Sequence, residues 1–238
     1  MNLVIDSGNT RFKAATFSGT RLEKKYSFPN AEELKSFLNH QTFNNAIVSS
    51  VSLDGNEMLG WLKASNKFLL THLLPIPIQI RYATPQTLGV DRIAAVCGAM
   101  EIFPNQDFLV IDAGTCITYD FVDRHGNYEG GAISPGIEMR FTALHTFTER
   151  LPLVPKTGDL KLIGNSTETS IRSGVLNGVL AEVEGIINNY KQLYPDMGVV
   201  LCGGDSFFFE NKLKPTIFAA PDLVLSGLNR ILLHNAVL

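Results

Sequence analysis

Cysteine is scarce in this sequence: Cys97, Cys116 and Cys202 are the three, scattered and without a CxxC pair. That usage fits a reducing compartment and argues against both a disulfide framework and a cysteine zinc site. The five histidines form neither HxH nor HExxH, which argues against a histidine metal centre. Long apolar runs are missing too; none approaches the ~20 residues needed to span a bilayer. No secretory leader pattern precedes the strand-like NLVI at the N-terminus, so a cytoplasmic protein without membrane attachment is expected. Basic runs are absent and the formal net charge is −3, which gives a nucleic-acid partner no support. Neither GxxxxGK[ST] nor GxGxxG occurs, so the chain carries no Walker P-loop and no dinucleotide fingerprint.

What is present is a repeat. LVIDSGNTRFK at 3–13 returns as LVIDAGTCITY at 109–119, with the same Leu-Val-Ile-Asp and a Gly two residues after each Asp. The chain has 238 residues, 45% of them hydrophobic, enough for one sizeable core or two halves of about 100–120 residues each. Around each copy the pattern reads strand, turn, strand, turn, strand, then helix. In the first half the strands are NLVID, FKAATFSG and RLEKKYSF, followed by a helix capped by Asn30, a strand at 45–51 and a helix at 56–65. The Pro75 and Pro77 stretch is extended, and 89–103 is a helix of small residues closed by Pro104. In the second half FLVIDAG, TCITYDFVD and YEGGAISPG are strands and 137–151 a helix. A loop follows, then a long helix over 169–194, a buried strand ending in CGGDS, and a final helix over 221–237. This is an α/β duplication with domains 1–106 and 107–238.

The aspartate turn suits phosphate chemistry. Gly8 and Gly114 permit a tight turn, tolerate positive φ and let a phosphate approach backbone amides. The hydroxyls of Ser7, Thr10 and Thr115 can donate to phosphate oxygens. A carboxylate at a strand end repels phosphate directly, but can hold a cation that bridges to it. Asp-x-Gly after a strand is also an ordinary turn; the weight comes from two copies, each after the same Leu-Val-Ile. TLGVDRIAAV is a second candidate. Asp91 in a first helical turn complements the helix dipole, and Arg92 can simply pair with a carboxylate. Equally, Asp91 can accept a substrate hydroxyl proton and Arg92 can grip an anionic group. Cys116 and Cys202 read as core filler inside apolar strands. Phe207–Phe209 reads as core or as an oligomer contact.

These segments together resemble the type III pantothenate kinases, within the acetate and sugar kinase/Hsp70/actin superfamily. The anchors are DSGNTRFK (6–13), YATPQTLGVDR (82–92), DAGTCITYDFVDRHGNYEGGAISPG (112–136), STETSIRSG (166–174), CGGD (202–205) and PDLVLSGLNRIL (221–232). The resemblance implies duplicated RNase H-like, actin-like ATPase domains with a cleft between them, working as a homodimer. It implies ATP-dependent phosphorylation of pantothenate to 4'-phosphopantothenate, the first step of coenzyme A synthesis. By the same resemblance Asp6, Ser7, Gly8, Asn9, Thr10, Arg11, Phe12 and Lys13 match the first phosphate-binding loop, and Asp112 to Thr115 the second, with Thr115 contacting ATP. Asp112 is the position tied to a monovalent cation, K⁺ or NH₄⁺, and Asp6 lies near Mg²⁺, through water. Gly89, Val90, Asp91 and Arg92 match the pantothenate segment, with Asp91 as general base; Tyr82 and Thr167 match further pantothenate contacts. Cys116 stands where the family most often has Ala. The family also has relatives described as transcriptional activators, and the scaffold hosts other small-molecule kinases. The intact Asp91-Arg92 pair speaks against the first alternative, and the Tyr82…Arg92 segment discriminates the second.

Overall fold

The first strand, β1 (Asn2–Ser7), is apolar on both faces, as a strand covered on both sides must be. The computed structural model, which describes residues 1–210, 212–213 and 217–236, buries Leu3, Val4 and Ile5 completely. β1 runs antiparallel to β2 (Phe12–Ser18) and parallel to β4 (Phe43–Ser50). With β3 (Arg21–Phe28) and β5 (Ala64–Leu69) outside them, the sheet has the order β3-β2-β1-β4-β5. Helix α1 (Ala31–Asn39) starts where Asn30 accepts the Glu33 backbone N–H at 2.9 Å, which satisfies one of the unpaired donors of the first turn. Leu34 and Leu38 of α1 and Met58 of α2 (Gly55–Trp61) share a core with Leu3, Ile5, Phe43 and Val48. Each such side chain contributes about 1.5–3 kcal/mol when fully buried.

Helices α3 (Val90–Ile102) and α7 (Leu223–Ala236) pack against each other, and α7 also lies on β1 and β4. Glycine permits this approach. A Cβ on Gly227 would fall on the carbonyl of Ala94, and one on Gly98 would lie 2.5 Å from the Leu223 carbonyl oxygen. Asn229 of α7 ties the helix to the N-terminal strands: its Oδ1 accepts from Asn2 at 3.3 Å, and its amide donates to the Gly19 carbonyl at 2.9 Å.

The second sheet contains β6 (Gln79–Ile80), β7 (Phe108–Ala113), β8 (Cys116–Val122), β9 (Asn127–Pro135), β10 (Gly198–Cys202) and β11 (Phe218–Ala219). Its order is β11-β10-β7-β8-β9-β6. With β7 taken as the first strand, this is the order of the first sheet again, with β6 added beside β9. The remaining helices are α4 (Ile137–Thr146), α5 (Thr167–Leu193) and α6 (Ser206–Glu210). Ser166 caps α5 in a capping box with Thr169.

The chain divides into two compact units, Met1–Gln106 with Asp120–Gly130 and Asp222–Leu238, and Asp107–Tyr119 with Gly131–Pro221. One break falls at Gln106/Asp107. The outer part of the β8–β9 hairpin and the last helix, assigned to the second half from the sequence, group with the first unit. No helix among the described residues is long and apolar enough to cross a membrane.

Local differences from the sequence reading have physical causes. The helix expected over 56–65 ends at Trp61, and Ala64–Leu69 forms β5, an edge strand too exposed to show a strand pattern. The helix expected over 137–151 stops at Thr146. There the Thr148 hydroxyl donates to the Leu144 carbonyl at 2.7 Å and accepts the Leu151 N–H at 3.3 Å, an alternative to continued helix. Val237, the last residue of the expected final helix, lies outside the described residues.

Candidate active site

The first aspartate turn belongs to the first unit. Asp6 is in register with Lys13 on β2 and Ser49 on β4. Gly8, Asn9, Thr10 and Arg11 form the connection to Phe12, with Asn9, Thr10, Arg11 and Lys13 exposed. Ser7 is different: its side chain is fully buried and its hydroxyl shares a 2.9 Å hydrogen bond with Ser52. Either hydroxyl can be the donor in that bond, so one contact of the Ser7 side chain is made inside the fold.

The second turn belongs to the second unit. Asp112 is the last residue but one of β7, in register with Cys202 of β10, and Thr115 is exposed. Backbone from two other segments closes on it. Gly136 donates its N–H to the Thr115 carbonyl at 3.1 Å, and a Cβ there would collide with the Gly114 and Thr115 carbonyls. Gly203 has φ +94, and a Cβ on it would collide with Asp112 Oδ1 and the Ala113 carbonyl. Only glycine meets both demands. CGGD thus packs against the aspartate turn, with the Asp205 N–H donating to the Ala113 carbonyl at 2.9 Å. Lys156 reaches the same place and pairs with Asp205 at 2.6 Å, a long-range contact that no local pattern announces.

Gly8 and Gly114 are less constrained than Gly136 and Gly203. Neither has a positive φ. A Cβ on Gly8 would come no nearer than 3.5 Å to its surroundings, and one on Gly114 no nearer than 3.7 Å, both ordinary contact distances. The fold itself does not require glycine at either position.

Tyr82, Gly89, Val90, Asp91 and Arg92 all lie in the first unit, the last three opening α3. Gly89 is the N-cap. Asp91 folds its carboxylate back over it, so that Oδ1 accepts the Arg92 N–H at 2.9 Å and a Cβ on Gly89 would sit 2.5 Å from that oxygen. No other hydrogen bond to the Asp91 carboxylate forms among the described residues. Arg92 turns inward. Its Nε and one terminal nitrogen donate to Asp120 Oδ1 at 2.9 and 2.6 Å, with side chains 8% and 0% exposed. Burial opposes the Arg92 charge, but the hydrogen bond and charge of Asp120 outweigh it and raise the guanidinium above its ordinary value. Tyr128 donates its phenol to the same Asp120 oxygen at 2.6 Å. Burial first, then the charge of Asp120, pushes that phenol far above the ordinary tyrosine range, so it remains a donor. Asp120 and Tyr128 escaped sequence reasoning, although a charge in the apolar strand ITYDFV signals a buried partner.

Thr167 belongs to the second unit, exposed at the first position of α5. It borders a groove of about 960 Å³ between α4 and α5, whose walls include Leu144, Phe147, Ile171 and Val175. Arg140 at its edge pairs with Glu182 at 2.7 Å. Ser134 and Tyr119 also donate to Glu182, at 2.6 and 3.1 Å.

The remaining candidates are quickly placed. Cys97 is buried in α3, and burial pushes its thiol up to about 12, so it stays protonated at neutral pH. Cys202 is likewise buried, whereas Cys116 is half-buried beside Thr115. Phe209 is core; Phe207 is exposed. Among the described residues, no three His, Cys, Asp or Glu side chains gather as a metal cage.

A five-strand order used twice, with an aspartate turn at the end of each first strand, is the architecture of the actin-like ATPase superfamily. Solved structures agree on the fold. A Clostridium difficile activator of 2-hydroxyisocaproyl-CoA dehydratase, solved with ADPNP bound, aligns over 98% of this chain and 93% of its own at TM-score 0.53 and 13% identity. A Campylobacter jejuni protein described as a candidate Baf family transcriptional activator aligns over 99% and 100% at TM-score 0.67 and 24% identity. The sequence model described as type III pantothenate kinase matches residues 2–189. A type III pantothenate kinase of Bacteroides fragilis is 49% identical over 241 aligned positions, covering 99% of this chain and 98% of the relative. The chain belongs to the type III pantothenate kinase family.

Proposed function

We propose that this chain transfers the γ-phosphoryl group of ATP directly, in line, to the primary hydroxyl of pantothenate, with Asp91 as general base. The activity class, ATP-dependent phosphorylation of pantothenate for coenzyme A synthesis, follows from family membership. The observation that carries the mechanism is the Asp91 carboxylate: one oxygen is fixed by the Arg92 N–H at a helix start and the other has no protein partner among the described residues. A base held this way is oriented without being consumed by a salt bridge. Tyr82, Gly89, Val90, Arg92 and Thr167 are the pantothenate-side residues in this reading. Arg92 acts by positioning, since its guanidinium is bound to Asp120.

Asp6–Lys13 and Asp112–Thr115 are the proposed phosphate-side segments, with Thr115 on ATP. Gly8 and Gly114 support this, because the fold would tolerate a side chain at both and an approaching phosphate would not. Positioning and charge neutralisation then supply most of the acceleration. The donor set fits the implied cations: one carboxylate in each turn, with the carbonyls of Ala113, Gly114 and Thr115 following Asp112 in the chain. Asp6 would hold Mg²⁺ through water and Asp112 K⁺ or NH₄⁺. When bound, these ions neutralise phosphate charge. The test of function is ADP release from ATP with pantothenate, against sugars, acetate and no acceptor; equal release with every acceptor would overturn the reading.

Two finer expectations go with it. Activity should rise on the order of tenfold with K⁺ or NH₄⁺, and much less with Na⁺, in a Tris assay containing Mg²⁺. An anion at Asp112 left uncompensated about 4 Å from phosphate costs roughly 4 kcal/mol at an effective dielectric near 20, and solvent reduces this. Asp112→Ala should lose the potassium response; full activity without added monovalent ion would sink the idea. The second expectation is a homodimer. Phe147, 85% exposed, flanks the apolar groove between α4 and α5, a surface suited to a second copy. Sedimentation should give about twice the 26.1 kDa of one chain; a fully active monomer would contradict it. Its substrates suit a cytoplasmic enzyme.

A further inference from the structure

Tyr128 sits at the meeting point of everything that frames the proposed acceptor segment. Its phenol donates to Asp120 Oδ1, the oxygen that also takes two N–H bonds from Arg92. Its backbone carbonyl accepts the Arg81 N–H at 3.0 Å, and β6 is paired in register with β9 through Gln79↔Asn127 and Ile80↔Tyr128. Its ring lies against that of Tyr82, with centroids 6.1 Å apart and planes tilted by 51°. Two residues on, Gly130 has φ +110, and its vacant Cβ position is 3.3 Å from the Tyr82 ring. All of these residues belong to the first unit.

We propose that Asp120 and Tyr128 are positioning residues for the phosphoryl acceptor, acting through Arg92 and Tyr82. The inference rests on the pantothenate kinase reading given above. Three donors converge on one buried carboxylate oxygen, which fixes the Arg92 side chain and with it the first turn of α3. Asp91 is the neighbour of Arg92 in that turn, and its orientation is set by the Arg92 N–H. The β6–β9 pairing fixes the other side, carrying Tyr82 onto the Tyr128 ring. The outer part of one hairpin thus sets both ends of the Tyr82–Arg92 segment. An oriented acceptor is what a transfer that depends on positioning requires. A buried ion pair by itself is weak evidence for stability, which makes this use of a fully buried aspartate the more informative reading.

Such a role predicts an acceptor-specific defect. Tyr128→Phe removes one oxygen and keeps the ring against Tyr82. It should lower kcat/KM for pantothenate about tenfold, the effect of losing one hydrogen bond from the network, while KM for ATP changes less than twofold. Asp120→Asn keeps the shape and removes the charge; its loss should exceed that of Tyr128→Phe, again on the pantothenate side. Because both act through Arg92, the double variant should fall little further than Asp120→Asn alone. Thermal melting of each variant establishes the folded fraction. A purely structural role would instead reduce kcat by loss of active protein, with both KM values unchanged. That pattern, fully additive losses, or an unaltered Tyr128→Phe in a wild-type background active on pantothenate would overturn the inference alone. A wild-type protein that does not phosphorylate pantothenate would overturn the underlying reading as well.

Discussion

Asp91→Asn is expected to lower turnover by about 10²–10⁴-fold, the usual cost of removing a general base. Binding of ATP should persist nearly unchanged, since the two aspartate turns lie elsewhere in the chain. The substitution is close to isosteric. The asparagine amide oxygen can still accept the Arg92 N–H that now binds Asp91 Oδ1 at 2.9 Å, so the first turn of α3 should survive. What disappears is the capacity to take a proton from the attacking hydroxyl. Single-turnover measurements with saturating pantothenate separate this from weakened binding. A folded Asp91→Asn protein with near-normal turnover would remove Asp91 from the base role.

The second large effect concerns stability. Gly227→Val should cost about 3 kcal/mol or more, enough to abolish most of the folded population of a marginally stable unit. At Gly227 the first side-chain atom would land on the Ala94 carbonyl, and at 2.7 and 2.8 Å from the Ala94 carbonyl carbon and the Gly98 nitrogen. These are backbone atoms of α3, which cannot rotate away as a side chain would. Valine adds two further methyl groups at the same crossing, so α3 and α7 would have to separate. Gly60→Ala is the control: it lies in helix α2 of the same unit with nothing within 4 Å of the added atom. There the alanine should be neutral or gain up to about 1 kcal/mol from helix propensity. Urea denaturation of the three proteins tests this, and a Gly227→Val midpoint equal to wild type would refute it.

How much of this was legible in the sequence depended on whether the signal was local. The repeated Leu-Val-Ile-Asp predicted two strands buried on both faces, and β1 and β7 show the same burial pattern. The Asn30 cap was readable because capping acts within three residues. The edge strands were not. β5 is half-exposed, and β11 is two residues long, defined by its pairing with Val200 and Leu201 rather than by its own composition. At the site, the motif residues were visible but their commitments were not. Ser7 showed a hydroxyl suited to phosphate, but not the hydrogen bond it shares with Ser52, 45 residues away. Arg92 showed a charge able to grip a substrate anion or a carboxylate, but not its partner Asp120, 28 residues on. Gly8 and Gly114 could tolerate positive φ but do not adopt it, and the sharp backbone demand falls on Gly203.

The placement of α7 bears on how the chain is made. The first unit needs its last helix: α7 covers β1 and β4, crosses α3 at Gly98 and Gly227, and bonds Asn2 through Asn229. Residues 107–222 lie between Met1–Gln106 and α7, the helix that buries one face of their central strands. At 5–20 residues per second the wait before α7 begins is about 6–23 seconds. Through that interval the nascent N-terminal sheet has an uncovered apolar face, while the second unit, from Asp107 to Pro221, completes its own sequence before α7 appears. Closing the first unit is therefore a docking event between distant stretches of chain that waits for α7 to be made, with the loop-closure cost that such separation carries. The nascent chain is most exposed to chaperone capture and to aggregation through β1 and β4 at that stage.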